Sequence, residues 1–285
     1  MKETTVTVIG GGPAGVAATI WLHQFGIPTI LIEAGDALGG LQRRSPYLNN
    51  WIPGVQGKHG QDIAAALHEH TKTLGCEVRL NTTVKKVDST PKSFTLHLQT
   101  DDALRSQYIV IATGTLPRSG GFTESDHVGI GPGISMERIA VKDKRIAILG
   151  GGDNAFDQAQ FVLQRGARQV RIFARQKPRA HPRLQARIPL ECVTIGPFVA
   201  DQKTMSVGQE KFDVIGVQFG FEAIILDGLP VKQEKGYIAV DRSGETSLKR
   251  VYACGDVTNF WQPCVTTACA HGIQVAQTIA SALSP

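Results

Sequence analysis

The chain has 285 residues, with 42% hydrophobic and 19% charged side chains. That length suits about two domains, and that balance excludes a disordered chain. Thirty Lys and Arg against 25 Asp and Glu leave a net charge of +5; the 31 glycines follow no Gly-X-Y period, which excludes collagen, and 6% aromatics exclude an aromatic-rich nucleic-acid platform.

No run of ~18 apolar residues is present, so no membrane-spanning helix is expected. Met1 to Thr5 leads straight into an apolar strand without the features of a signal peptide, which makes the cytoplasm the expected location. Five cysteines, at 76, 192, 254, 264 and 269, are few and odd in number, as reduced thiols would be, and no two form Cys-x-x-Cys.

The first strong pattern is the β-rich run Thr5–Ile9, followed at once by Gly10-Gly11-Gly12-Pro13-Ala14-Gly15 and a helical stretch from Val16 to Phe25. A second strand, Thr29–Ile32, ends in Glu33. Strand, glycine turn, helix, strand and acid in this register form a dinucleotide-binding fingerprint. One glycine makes the turn, one lets the backbone approach a pyrophosphate, and one lets helix and strand pack closely. The helix N-terminus offers unpaired N–H groups to the phosphates, and Glu33 would accept hydrogen bonds from a ribose diol.

Farther on, the strand Tyr108–Ile111 runs into Ala112-Thr113-Gly114-Thr115-Leu116-Pro117, which reads as an exit linker. The fingerprint then returns: strand Arg145–Leu149, Gly150-Gly151-Gly152-Asp153-Asn154-Ala155, a helix from about Phe156 to Gln164, and strand Gln169–Phe173. Here the ribose position carries Arg175 rather than an acid, and an arginine there accommodates a 2′-phosphate, favouring NADP(H). Eight Lys and Arg fall between Arg165 and Arg187 with no acid among them: 165, 168, 171, 175, 177, 179, 183 and 187. Part of that charge fits a phosphate; the remainder is either a solvated face or a steering surface for an acidic protein. No nucleic-acid motif accompanies it.

Asp241–Glu245 reads as a return linker, and Arg250–Val257 as a strand ending in Gly255-Asp256, with a helix from Val265 to Ala282 after it. That last segment has no sheet of its own, so it belongs to the first domain. The expected fold is α/β: two Rossmann-like dinucleotide-binding domains, residues 1–117 with 246–285, and residues 118–245 inserted between them.

The segments Gly10–Gly15, Gly39-Gly40-Leu41-Gln42, Ile111–Gly114, Gly150–Asp153 with Ala155, Arg179-Ala180 and Cys254–Val257 together resemble the low-molecular-weight thioredoxin reductase-like flavoproteins over nearly the whole chain. The resemblance implies FAD in the outer domain, NADPH in the inserted one, and a homodimer. It implies that Gly10, Gly12, Pro13, Ala14 and Gly15 cradle the FAD pyrophosphate, that Glu33 holds the ribose, and that Gly40, Leu41, Gln42, Asn50, Val84, Thr113 and Gly114 line the cofactor. Gly255 and Asp256 would hold the ribityl chain, and the helix opening at Cys264, Val265 and Thr266 would face the flavin's pyrimidine edge, where its dipole stabilises negative charge. Gly150, Gly152, Asp153, Asn154, Ala155, Arg175 and Arg179 would take NADPH; no metal site is implied.

Thioredoxin reductases carry Cys-x-x-Cys just before the second glycine motif, whereas here that stretch, Asp126 to Ser135, has no cysteine. The ferredoxin/flavodoxin–NADP+ reductases similar to this fold also lack the dithiol, and Phe219-Gly220-Phe221 and Arg179-Ala180-His181 match them locally. An acidic carrier, ferredoxin or flavodoxin, is therefore the expected acceptor. Two alternatives stay open: a disulfide/thiol oxidoreductase using Cys264 and Cys269, and a low-turnover flavin-binding regulatory protein. A reactive Cys264 competes with a reading of it as a small buried packing residue. Trp51 is expected either to stack on the flavin or to pack under its loop, and His271 either to border the flavin or to be a capped or surface histidine.

Overall fold

The computed structural model describes residues 1–258 and 260–284, and they divide into two compact units, Met1–Leu116 with Glu222–Pro285, and Pro117–Phe221. In the first unit β1 (Lys2–Ile9) leads through α1 (Pro13–Gln24) to β2 (Thr29–Ile32), then α2 (Gly60–Thr73) and β3 (Glu77–Arg79). A meander follows: β4 (Val84–Ser89), β5 (Phe94–Leu98) and β6 (Ala103–Ile111). The sheet order is β3-β2-β1-β6-β5-β4. β1 is parallel to both β2 and β6, which places its C-terminal end and the glycine turn at the centre of the sheet.

The chain leaves this unit through β7 (Thr115–Pro117). The second unit holds β8 (Val128–Ile130), α3 (Ile134–Glu137), β9 (Arg145–Leu149), α4 (Asp153–Gln164), β10 (Gln169–Ala174), α5 (Pro182–Gln185) and β11 (Val193–Ile195). A small antiparallel ribbon, β12 (Ala200–Asp201), β13 (Ser206–Val207) and β14 (Glu210–Lys211), precedes β15 (Val214–Val217). Its main sheet, β11-β10-β9-β15-β8, is wholly parallel. Such strands are covered on both faces: Ile146, Ala147, Ile148, Leu149, Val214, Ile215 and Val217 are all fully buried.

The chain returns through β16 (Phe221–Ala223), which pairs with β7. The return therefore falls at Glu222, not near residue 245 as the turn-rich Asp241–Glu245 suggested. Residues 224–240 pack on the first unit: Leu229, Val231 and Ile238 are buried in one core cluster with Phe94, Leu96 and Ile109. A hairpin of β17 (Gln233–Glu234) and β18 (Tyr237–Ile238) lies in this stretch. Asp241–Glu245 is an internal turn, closed by Asp241 Oδ1 accepting from the N–H groups of Ser243 and Glu245 (2.8 and 3.0 Å).

β19 (Val251–Ala253) then pairs with the C-terminal end of β6, Ile109–Ile111, while β5 uses its N-terminal part, Ala103–Ser106. The last helix, α6 (Val265–Leu283), packs along α1; Val275, Ala276 and Ile279 share a core cluster with Val16 and Leu22. No helix of the described residues is long and apolar enough to cross a membrane.

Candidate functional site

Each unit carries a glycine turn between a central strand and a helix, and the two turns are built alike. In the first unit Gly10 has φ +108, and a Cβ there would overlap the Ala112 carbonyl. A Cβ on Gly15 would overlap the Gly10 carbonyl oxygen, so this glycine sets the close approach of helix to turn. Gly12 differs: it is the N-cap of α1, with φ −72 and ψ 178, and a Cβ there would meet only Gly40 Cα, 3.9 Å away. Pro13 opens the helix without needing a donor partner, no side chain caps it, and no acid sits in its first turn. A bare helix end beside open space is the cradle a pyrophosphate requires.

The neighbours of this turn are fixed by main-chain contacts. Glu33 at the end of β2 accepts from Gly11 N–H through Oε2 (2.6 Å) and from Gly35 N–H through Oε1 (2.7 Å). A carboxylate has about four acceptor positions, so a ribose diol can still be taken. Val84 follows a segment tied to the same place, because Asn81 and Thr82 N–H donate to Gly35 and Glu33 carbonyls (2.8 and 2.9 Å). Gly39 N–H donates to Gly11 O (2.7 Å), which lays the 3₁₀ turn Gly40–Arg44 beside Gly12. On it Gln42 Oε1 is buried without a partner among the described residues. Thr113 Oγ1 donates to Ile224 O (2.6 Å), and Gly114 O accepts from Ile224 N–H (3.1 Å).

From the C-terminal segment, Gly255 (φ +78) and Gly272 both press on Ala14: a Cβ on Gly255 would lie 2.8 Å from Ala14 Cβ, and one on Gly272 would overlap Ala14 O. A glycine inside a helix costs stability, and here it is needed for helix contact. Asp256, in the 3₁₀ turn Gly255–Val257, has no hydrogen-bond partner among the described residues, and burial pushes its carboxyl up. The open Gly12, the orphaned Gln42 amide oxygen and the unpartnered Asp256 carboxyl fit a polyhydroxylated dinucleotide.

Asp256→Asn is expected to raise the melting temperature of the FAD-free protein by a few degrees at pH 7 while weakening FAD binding. A buried acid whose value is raised costs stability once ionised, so the gain should fade as pH falls and the native carboxyl takes its proton. Melting curves at pH 7 and pH 5 decide it; a fall in melting temperature at pH 7 would refute it.

Three expectations change here. Trp51 is 92% exposed rather than packed under its loop; Asn49 Oδ1 closes its turn by accepting from Trp51 and Ile52 N–H (3.1 and 3.2 Å). Asn50 is exposed in the same loop, and no described contact ties it to the glycine turn. Cys264 is exposed rather than packed: it is the extended N-cap of α6, and its Sγ accepts from Thr267 N–H (3.4 Å). Val265 and Thr266 follow in the first turn, which carries no acid. His271 is not at the surface but 2% exposed.

Cys269 lies partly buried, its Sγ 3.6 Å from Pro13 O, and both it and Cys264 are free thiols. Helix geometry separates residues five apart by about 8–9 Å, beyond the ~7 Å limit for a disulfide. Cys254 is fully buried core, and burial pushes its thiol up to about 12.

In the second unit Gly150 (φ +144) abuts the Gln218 carbonyl, and Gly152, the N-cap of α4, has nothing within 4 Å of a Cβ. Ala155, fully buried, replaces the third glycine. Asp153 and Asn154 open α4, and Asp153 Oδ1 accepts from His181 N–H (2.7 Å). Arg179 and Ala180 N–H both donate to Gly151 O (2.8 and 3.2 Å), folding the 179–181 segment over the turn. Arg175, just past β10, holds its guanidinium 5.6 Å from the rings of both Phe198 and Phe219. The basic run is not one uniform face. Arg171 pairs with Glu210 (3.3 Å) and Arg165 lies over Phe161 (5.1 Å), while Arg175, Lys177, Arg179 and Arg183 are exposed.

Sequence reasoning missed the inward placing of His271 and the contact made by Gly272. A glycine within the apolar stripe Ala268, Gly272, Val275, Ala276, Ile279 was the available signal.

Comparison with known proteins agrees with this geometry. A family model described as pyridine nucleotide-disulphide oxidoreductase matches residues 4–189 and 196–279. A thioredoxin reductase of Bacillus subtilis (strain 168) is 24% identical over 302 residues, covering 98% of this chain and 94% of that protein. A ferredoxin–NADP reductase of Ignicoccus hospitalis is 28% identical over 272 residues, covering 88% and 89%. Among solved structures, a Lactococcus lactis thioredoxin reductase superposes with a TM-score of 0.82 at 24% identity, covering 98% of each chain.

Proposed function

Since the chain belongs to the pyridine nucleotide-disulphide oxidoreductase family, an oxidoreductase that uses FAD and NADPH, we propose that it passes electrons to a protein carrier, ferredoxin or flavodoxin, rather than through a dithiol. The observation that carries this choice is the interval Asp126–Ser135. It holds no cysteine, and its strand β8 is buried core, with Val128 and Ile130 packed among Leu149, Ile215 and Val217. The similarity to the Ignicoccus hospitalis reductase supports the same acceptor class. Exposed Lys177, Arg179 and Arg183 add a basic surface that suits an acidic carrier.

When bound, FAD would supply the chemistry, accepting hydride from NADPH and releasing electrons singly. The chain supplies the rest. Gly12 with the first turn of α1 would receive the FAD pyrophosphate, Glu33 the adenosine ribose, and Asp256 the ribityl hydroxyls. The acid-free first turn of α6 would stabilise negative charge at the flavin's pyrimidine edge. Gly152 with α4 would receive the NADPH pyrophosphate, and Arg175 and Arg179 its 2′-phosphate.

Anaerobic titration with NADPH, followed by flavin absorbance, tests the absence of a second redox centre. Complete reduction at one NADPH per FAD is expected, followed by turnover with ferredoxin or flavodoxin that slows as salt is added. Consumption of two NADPH per FAD would overturn the reading, and a Cys264→Ser variant restoring one would identify a thiol centre.

A further inference from the structure

We infer that His271 is a positioning residue for FAD, holding the Gly255–Asp256 turn in place through the main-chain N–H of Gly255; this rests on the assignment of Asp256 to the ribityl hydroxyls. The sheet ladder ends one residue earlier, where Cys254 N–H donates to Ile111 O (3.0 Å). Gly255 then turns at φ +78, so its N–H leaves the ladder and donates instead to His271 Nδ1 (3.2 Å). On its other side the Gly255 carbonyl accepts from Thr258 through both N–H (3.1 Å) and Oγ1 (2.8 Å). Asp256 is thus carried on a peptide clamped at both ends, while its own carboxyl makes no hydrogen bond among the described residues.

The imidazole is itself fixed. It is 2% exposed, and the Phe260 ring lies 5.5 Å away at 33°. Nε2 has no partner among the described residues and stands 3.6 Å from where a Cβ of Gly244 would be. An Nδ1 that accepts requires the neutral ring with its proton on Nε2. Burial favours the same form, pushing the pKa down to about 4. An apolar side chain at this position would leave the Gly255 N–H without an acceptor, and such losses weaken the dependent state about tenfold.

The test compares FAD release from full-length holoprotein on dilution, read by flavin fluorescence. The variants are His271→Leu, His271→Asn, Asp256→Asn and the His271→Leu/Asp256→Asn double. His271→Leu fills the space without an acceptor and should raise the Kd for FAD about tenfold. His271→Asn places an amide oxygen near the Nδ1 position and should stay within about twofold of the native protein. The double variant should bind no more than about twofold weaker than Asp256→Asn alone, since His271 acts through Asp256. The inference is overturned if His271→Leu binds as tightly as the native protein, if His271→Asn is as weak as His271→Leu, or if the two losses multiply. Should His271→Leu not fold, His271→Gln replaces it with the same expected loss, because its polar atoms fall at the Nε2 position. An Asp256→Asn protein with unchanged affinity removes the ribityl assignment and this inference with it. Weakening by Asp256→Asn with none from His271→Leu overturns the inference alone.

Discussion

Gly12→Val gives a folded but colourless protein, and Gly152→Val a folded yellow one that NADPH no longer reduces: these are the largest effects expected of any single substitution here. Both glycines are helix N-caps in extended backbone, φ −72 and −95, that any residue adopts. A Cβ meets only Gly40 Cα at 3.9 Å in the first case and nothing within 4 Å in the second. The fold therefore tolerates the added side chain. A pyrophosphate seated on the helix end does not, because the valine methyls fill the space its oxygens need. A loss of at least ~100-fold in affinity is expected at each site, about 2.7 kcal/mol. Gly15→Val is the control: its Cβ overlaps the Gly10 carbonyl, so it should fail to fold rather than fail to bind. Melting curves and visible absorbance after purification separate the three. Stoichiometric flavin in Gly12→Val would remove the pyrophosphate from that helix end.

Arg175→Glu should raise the KM for NADPH ~10- to 100-fold and that for NADH less than ~3-fold, the range spanned by losing a charge-assisted hydrogen bond to phosphate. The guanidinium is held between Phe198 and Phe219, 5.6 Å from each ring. It is thus preorganised, and its fork stays available to a phosphate in a way a lysine would not reproduce. Arg175→Lys should consequently recover only part of the preference. Steady-state kinetics with both nucleotides decide it; equal changes for NADPH and NADH would show that Arg175 does not read the 2′-phosphate.

Both glycine turns, their flanking strands and the return of Val251–Ala253 to the first sheet were legible in the sequence, because each rests on a local pattern of period and turn chemistry. The second crossing was not. Leu229, Val231 and Ile238 sit in the first unit's core, yet they are spaced irregularly among short strands and turns. Asp241–Glu245 carries the composition of a linker only because an Asx turn needs the same residues. Trp51 misled through its bulk: Asn49 closes that turn with its own side chain, so the indole is not required for packing. His271 lay in a stripe of small residues whose inward face belongs to a distant main-chain N–H. No sequence period reveals a bond between positions sixteen apart that joins a helix to a turn.

The discontinuity of the first unit sets the order in which the two units can be completed. Residues 117–221 form a contiguous body that has all its strands when synthesis reaches Val217. By then the N-terminal 116 residues still lack β19 beside Ile109–Ile111 of β6 and α6 against α1, with Ala14 unclamped by Gly255 and Gly272. A nascent chain thus carries the contiguous unit with all its strands while the discontinuous unit waits, its central β6 unpaired on one side at Ile109–Ile111, for α6 to clear the ribosome.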